Sequence, residues 1–340
     1  MQLKWIKKVF SDGRHNAFTG LTLFKGHYLL AFRNAEKHGS ESSKQVIMTS
    51  PDGEQWRVLQ ETVLSESIVA PHALPPGTPM DYRDSYFLNV GDELKLYSFF
   101  VPPMRRNEDE RMAPPGTLLM TSRDGVNWSE PVMVCAGAIL WKPIFWQGRF
   151  WCAGYRREPG VGYVIRMYES DDGKTWLQGS VIAGGSECML TPAGANTLRA
   201  FVRTEKKPCH MEIWESQTPF TTWERLAVIP KIIQAPHLVT LNGNQYLFGR
   251  ETPSYQDEAQ AMKPPSSLRR CKIWKVVETV VGEVLELPSS GDTSYVGTAI
   301  RPDGLLLVSY YSQHEAKDPD PQHDDPNNKP SDIFVAAIQL

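Results

Sequence analysis

The sequence predicts an all-β protein, and more specifically a six-bladed β-propeller. Three observations carry that prediction. Short segments rich in aromatic and aliphatic residues recur between turns. No segment sustains a 3.6-residue apolar stripe for more than two turns. One turn motif, Ser-x-Asp-Gly-x-x-Trp, is written three times along the chain.

The strand candidates, in chain order, are "HYLLAFR", "ELKLYSFF", "RFWCAGYR", "TLRAFVR", "QYLFGR" and "LLLVSYYS". Each follows a glycine-bearing turn, at Gly26, Gly91, Gly148, Gly194, Gly243 and Gly304. A recurrence of roughly fifty residues built from hairpins is the mark of a blade-like repeat. The repeats exhaust the chain as one propeller domain, 1–340. Its blades run over roughly 11–70, 80–136, 138–184, 185–230, 231–289 and 290–340. The opening strand, 2–10, is expected to pair beside "DIFVAAIQL" and close the last blade, which removes exposed edges.

The repeated motif follows the first three hairpins, as "TSPDGEQW" (49–56), "TSRDGVNW" (121–128) and "ESDDGKTW" (169–176). A degraded fourth copy, "SQTPFTTW" (216–223), follows the fourth. Asp and Ser side chains suit local backbone bonding, Gly suits positive φ, and Trp suits packing between sheets. Asp52, Asp124 and Asp172 are therefore read as turn fasteners and not as catalytic acids. Two stretches read as loops, "VPPMRRNEDERMAPPG" and "HEAKDPDPQHDDPNNKPSD". The second is rich in carboxylates but lacks the spacing of a calcium loop.

Composition narrows the function classes. The 340 residues carry 36 Lys+Arg against 39 Asp+Glu, a net charge of −3, so nothing electrostatic points to nucleic acid or an anionic membrane. No apolar run is long enough to span a bilayer. "MQLKWIKKVFSDGRHNAF" lacks an apolar leader segment, and the five cysteines show no CxxC spacing. Both features read as a cytoplasmic protein with reduced thiols. There is no P-loop, no GxGxxG after a strand and no metal-ligand cluster, so neither cofactor nor metal is expected.

The three boxes and the hairpins before them resemble the Asp-box motif of the sialidase superfamily, in a version one residue shorter than usual. "HNAFTGLTLFKGHYLLAFRNAEKH", "DYRDSYFLNVGDELKLYSF" and "GDTSYVGTAIRPDGLLLVSYYSQHE" resemble a bacterial branch of sialidase-like propellers catalogued as glycoside hydrolases. The resemblance covers essentially the whole chain. It implies that three arginines hold a substrate carboxylate, and Arg33, Arg203 and Arg250 end the matching strands of blades one, four and five. Planar, permanently charged guanidinium groups suit that task. It also implies a Tyr nucleophile activated by a Glu, matched here by Tyr295 in "GDTSYVG" and Glu187 in "GSECML". A phenol avoids the repulsion that a carboxylate nucleophile would meet, and it needs a base because free Tyr titrates near 10.

The family's acid/base Asp has no counterpart between Arg33 and Ser50, where the chain reads "NAEKHGSESSKQVIMT". Glu36, His38 and Glu41 are the groups present there, and Asp84 of "YRDSYF" is a further one. His38, whose ring titrates near neutrality, and Asp84 are the candidates for the acid. Each also has a plainer reading, His38 as a surface residue and Asp84 as the partner of Arg83. Arg83, His314 and Ser312 are candidate substrate contacts, while Arg33, Arg203 and Arg250 have nearby acids such as Glu205 and Glu251 as alternative partners. Trp141, Trp146 and Trp151, with Tyr155 and Arg156, offer either sugar stacking or packing between blades. Three functions stay open on these residues. One is a retaining exo-glycosidase for a terminal sialic, ulosonic or uronic acid in an acidic oligosaccharide or glycoside. The others are a lyase for uronate-containing glycans and a carbohydrate-binding propeller without chemistry.

Overall fold

The computed structural model describes residues 1–40, 43–64, 80–102, 115–253, 266–315 and 327–340. Glu41 and most of the two loop stretches lie outside them. Among the described residues there are 24 strands and one short 3-10 turn, Ser266–Leu268. No helix is long and apolar enough to cross a membrane.

The strands form six four-stranded sheets, the blades of a β-propeller. β1 (Gln2–Phe10) opens the chain. Blade one is β2 (His15–Phe24), β3 (His27–Ala35), β4 (Ser43–Ser50) and β5 (Arg57–Val63). Blade two is β6 (Asp81–Val90), β7 (Glu93–Val101), β8 (Gly116–Ser122) and β9 (Val132–Ala136). Blade three is β10 (Ile139–Trp146), β11 (Arg149–Glu158), β12 (Gly162–Ser170) and β13 (Leu177–Gly184). Blade four is β14 (Ser186–Gly194), β15 (Thr197–Arg203), β16 (Met211–Gln217) and β17 (Glu224–Ile229). Blade five is β18 (Ile232–Leu241), β19 (Asn244–Thr252), β20 (Arg270–Val277) and β21 (Val280–Leu287). Blade six is β22 (Thr293–Ile300), β23 (Leu306–Ser312) and β24 (Asp332–Gln339), with β1 as its fourth strand. β1 runs antiparallel to β24, from Gln2 opposite Gln339 to Phe10 opposite Ile333.

The six predicted strand segments are the second strands of the six blades. They are covered on both faces, so β3, β7 and β23 are buried almost without alternation along their length. The fourth strands are mostly exposed, and β1 shares that character. The chain forms two compact units, one of residues 1–137 and 295–340 and one of residues 138–294. In the first, Phe24, Leu29, Ala31 and Ile47 of blade one meet Phe87, Leu94, Leu96 and Met120 of blade two in one core cluster. Each of these side chains except Ala31 contributes about 1.5–3 kcal/mol on burial.

The three Ser-x-Asp-Gly-x-x-Trp segments join the third strand of a blade to its fourth. Each makes the same bonds. Gly53 N, Gly125 N and Gly173 N donate to the hydroxyls of Ser50, Ser122 and Ser170. The first carboxylate oxygen of each Asp accepts two backbone N–H groups: those of Glu54 and Gln55, Val126 and Asn127, or Lys174 and Thr175. At Asp172, burial raises the pKa, but these N–H bonds and the Ser170 hydroxyl outweigh it and leave the carboxyl at about 2. The three glycines have φ near +70°, at 77°, 76° and 69°. Trp128 packs on the blade one–blade two core cluster. The segment at 216–223 occupies the same place in blade four, with Ser216 Oγ bonded to Thr222 O at 2.5 Å and Trp223 Nε1 to Ser180 Oγ at 3.0 Å.

Candidate functional site

The first strand of every blade carries an irregularity at the same place, and a non-glycine residue sits there with positive φ. These residues are Phe18 (62°), Asp84 (35°), Lys142 (48°), Glu187 (40°), Ala235 (55°) and Tyr295 (52°). In blades one to five the strand register slips at that point, between Ala17 and Gly20, Arg83 and Tyr86, Trp141 and Ile144, Ser186 and Cys188, and Gln234 and His237. A bulge re-aims the side chain it carries, and positive φ on Phe, Asp, Lys, Glu or Tyr costs roughly 1–3 kcal/mol and persists only where the surroundings impose it. Neighbouring blades impose it here. Thr19 Oγ1 donates to Tyr295 O at 2.8 Å, and Gln45 Nε2 to Ser85 Oγ at 2.9 Å. Close approach also requires glycine, because a Cβ on Gly20 would lie 2.6 Å from Ser85 O, and one on Gly297 would overlap the backbone of Gly20 and Leu21.

Three of the four expected catalytic residues, Asp84, Glu187 and Tyr295, occupy this repeated position. The fourth, His38, follows β3. In the first unit, the Phe18 ring gathers Tyr295 at 4.8 Å, His38 at 5.7 Å and Tyr311 at 5.6 Å, centroid to centroid. The guanidinium carbons of Arg83 and Arg33 lie 5.3 and 5.9 Å from the same ring. Arg33, Arg83, His38 and Tyr295 therefore share one cluster.

Asp81 is the counter-charge of that cluster. Its Oδ1 accepts from Arg33 Nε at 2.6 Å, and its Oδ2 accepts from Arg83 Nε at 3.0 Å and Nη2 at 2.9 Å. Arg83 therefore pairs with Asp81 and not with Asp84. Arg33 also donates to His15 Nδ1 at 3.3 Å and to the carbonyls of Lys37 and His38. Four of its five N–H groups are thus engaged, and its side chain is 1% exposed. Burial lowers its pKa most, Asp81 opposes that, and the Arg83 charge adds to it. Arg83 Nη1 lies 3.2 Å from His38 Nε2. A guanidinium only donates, so Nε2 accepts and the His38 proton sits on Nδ1.

In the second unit, Arg203 Nη1 pairs with Glu187 Oε2 at 2.6 Å and its Nε with Glu205 at 3.1 Å. Glu187 Oε2 also accepts Ala235 N at 2.8 Å, which links the bulge of blade four to that of blade five. Arg250 donates to Asp292 at 2.6 Å and to Gln234 at 2.9 Å. Glu251, a possible partner of Arg250 by sequence, instead pairs with Lys231 and Lys272. In the first unit, His314 lies against Phe334, 4.6 Å between ring centroids, beside Glu315. Burial lowers its pKa and the Lys8 charge adds to this, while Glu315 and Asp332 act the other way. Ser312 is buried and its hydroxyl accepts His314 N. Trp141 and Trp151 are buried and bonded to Pro236 O and Trp146 O, which makes them packing residues.

Phe18, His15, Asp81, Asp292 and Lys142 escape the sequence reading. Asp81 had a usable signal, since strand period places it on one face with Arg83, two residues on. The bulge has none, because six different residue types occupy it.

No family model and no curated protein matches the chain. Among solved structures, a protein of unknown function from Dyadobacter fermentans is 18% identical with a TM-score of 0.69, over 100% of this chain and 99% of that one. Trypanosoma rangeli sialidase in complex with sialic acid is 12% identical with a TM-score of 0.67. The match covers 95% of this chain and 54% of that one, so this chain spans about half the length of the sialidase. Sucrose-6-phosphate hydrolase from Lactobacillus gasseri is 13% identical with a TM-score of 0.54, over 96% of this chain and 59% of that one. The likeness is one of fold alone: the chain is a six-bladed β-propeller whose backbone resembles these solved structures.

Proposed function

We propose that the protein is a retaining exo-glycosidase acting on a terminal acidic sugar of the sialic, ulosonic or uronic acid class. The observation that carries this reading is the gathering of Tyr295, Arg33, Arg83 and His38 around the Phe18 ring. It combines a phenol suited to attack a carbon that bears a carboxylate with guanidinium groups suited to that carboxylate. The fold shared with a sialidase solved with sialic acid supports the same substrate class.

In this reading Tyr295 attacks the anomeric carbon and forms a glycosyl–enzyme bond as its phenolic proton passes to a carboxylate base, the part that the family resemblance gives to Glu187. Asp84 in its acid form, or His38 once it has taken up a second proton, gives that proton to the departing oxygen. Water then cleaves the glycosyl–tyrosine bond and returns the phenol. Among the described residues, Arg83 uses three of its five N–H groups on Asp81 and His38, and Arg33 uses four. Arg83 is therefore the larger donor to the sugar carboxylate in the first unit; the part of Arg203 and Arg250 is the one the family resemblance gives them.

The test is release of 4-nitrophenol from its glycosides of N-acetylneuraminic and glucuronic acid. Tyr295→Phe should lower turnover by about a thousandfold or more while the fold is retained. Full activity in that variant removes Tyr295 as nucleophile. Binding without release marks a carbohydrate-binding propeller, and a product with the ultraviolet absorption of a conjugated double bond marks elimination.

A further inference from the structure

Arg203 and Glu187 meet at the bulge of blade four. Ser186 lies opposite Arg203 and Cys188 opposite Val202, so Glu187 is the extra residue of β14, set against the end of β15. Its side chain is 7% exposed, and its Oε2 takes Arg203 Nη1 at 2.6 Å and Ala235 N at 2.8 Å. One donor thus comes from the neighbouring strand and the other from the bulge of blade five. Burial favours the neutral form of a carboxyl, while a guanidinium and a backbone N–H at these distances favour the ionised form. Arg203 is itself held, because Glu205 Oε1 accepts its Nε at 3.1 Å and accepts the Ser186 hydroxyl as well. The charge balance is the reverse of that at Asp81. There two guanidinium groups share one carboxylate; here one guanidinium serves two. A sugar carboxylate brought to Arg203 would meet two anions already in place.

We infer that Arg203 is a positioning residue, which acts by holding the Glu187 carboxylate and not by gripping the sugar. This rests on the glycosidase reading, in which Glu187 is the base, and it departs from the clamp that the resemblance gives to Arg203. A base must begin ionised and aimed, and a buried carboxylate needs a partner for both. Arg203 supplies the charge, and its bond to Glu205 fixes the guanidinium from which that charge acts.

Two measurements on the full chain test the inference. The first is the carbon-13 NMR titration of the Glu187 carboxyl, with Glu187→Gln to assign the signal. Arg203→Met should raise its midpoint by about one pH unit or more, and Arg203→Lys, which keeps the charge, should stay closer to the parent. An unmoved midpoint overturns the proposal whether or not the protein cleaves a sugar. The second is turnover of the 4-nitrophenyl glycosides of N-acetylneuraminic and glucuronic acid. Arg203→Met should lower kcat about tenfold or more with KM within about threefold of the parent. The acid limb of its turnover profile should move up in pH along with the Glu187 midpoint. A raised KM at unchanged kcat returns Arg203 to the clamp and overturns the proposal. Should the parent release no nitrophenol from either glycoside, the glycosidase reading fails, and the Glu187 midpoint alone decides whether Arg203 holds that carboxylate. Where Arg203→Met does not fold, Arg203→Gln replaces it in both measurements.

Discussion

Replacing Asp81 by Asn removes one charge from between two guanidinium groups and leaves the side-chain volume almost unchanged. The carboxylate is 3% exposed and serves Arg33 and Arg83 with three contacts of 2.6–3.0 Å. In the variant, two cations share the cluster without their counter-charge, and an amide nitrogen, itself a donor, faces one of them. Removing one partner of a buried pair costs about 3–5 kcal/mol. Unfolding entropy near 2.1 cal/mol/K per residue converts that to a melting temperature lower by about 4–7 °C when taken over the whole chain. Scanning calorimetry measures the shift, and urea titration at constant m value checks the energy. Replacing Asp81 by Leu together with both Arg33 and Arg83 by Met should recover much of the loss, because removing a buried ionic group entirely is close to neutral. An Asp81→Asn protein that melts within about 1 °C of the parent would refute the claim that this carboxylate holds the cluster together.

Two further outcomes follow from packing and charge. His237 is held neutral in the fold, so the unfolded chain takes up a proton below pH 6.5 that the folded one refuses. Its contribution to stability is complete above that pH and is lost as the pH falls below it. His237→Asn should flatten the pH dependence of the melting temperature on the acid side of 6.5, and parallel curves would contradict the assignment. Gly297→Ala should destabilise by about 1–3 kcal/mol in urea, because its Cβ meets backbone atoms of Gly20 and Leu21 that cannot rotate away. Gly39→Ala, with nothing within 4 Å of the added atom, is the control. Equal midpoints for the two variants would mean that the first strands of blades one and six are not pressed together.

The sequence alone determines the parts of this protein that are local. A glycine turn followed by an apolar run makes a hairpin wherever it occurs, so the second strand of every blade is legible. The Ser-x-Asp-Gly-x-x-Trp turns are equally legible, since their bonds close within three residues, as between Gly53 N and the Ser50 hydroxyl. The resemblance drawn from those turns led to Tyr295, Glu187 and Arg33. Only the tertiary structure decides their surroundings. Asp81 reaches Arg33 across 48 residues, and Ala235 N reaches Glu187 across the same separation, over distances that no local pattern encodes. The bulges are further from view still, because the positive φ of Phe18, Lys142 or Tyr295 runs against each residue's own preference and is imposed by the blade packed alongside.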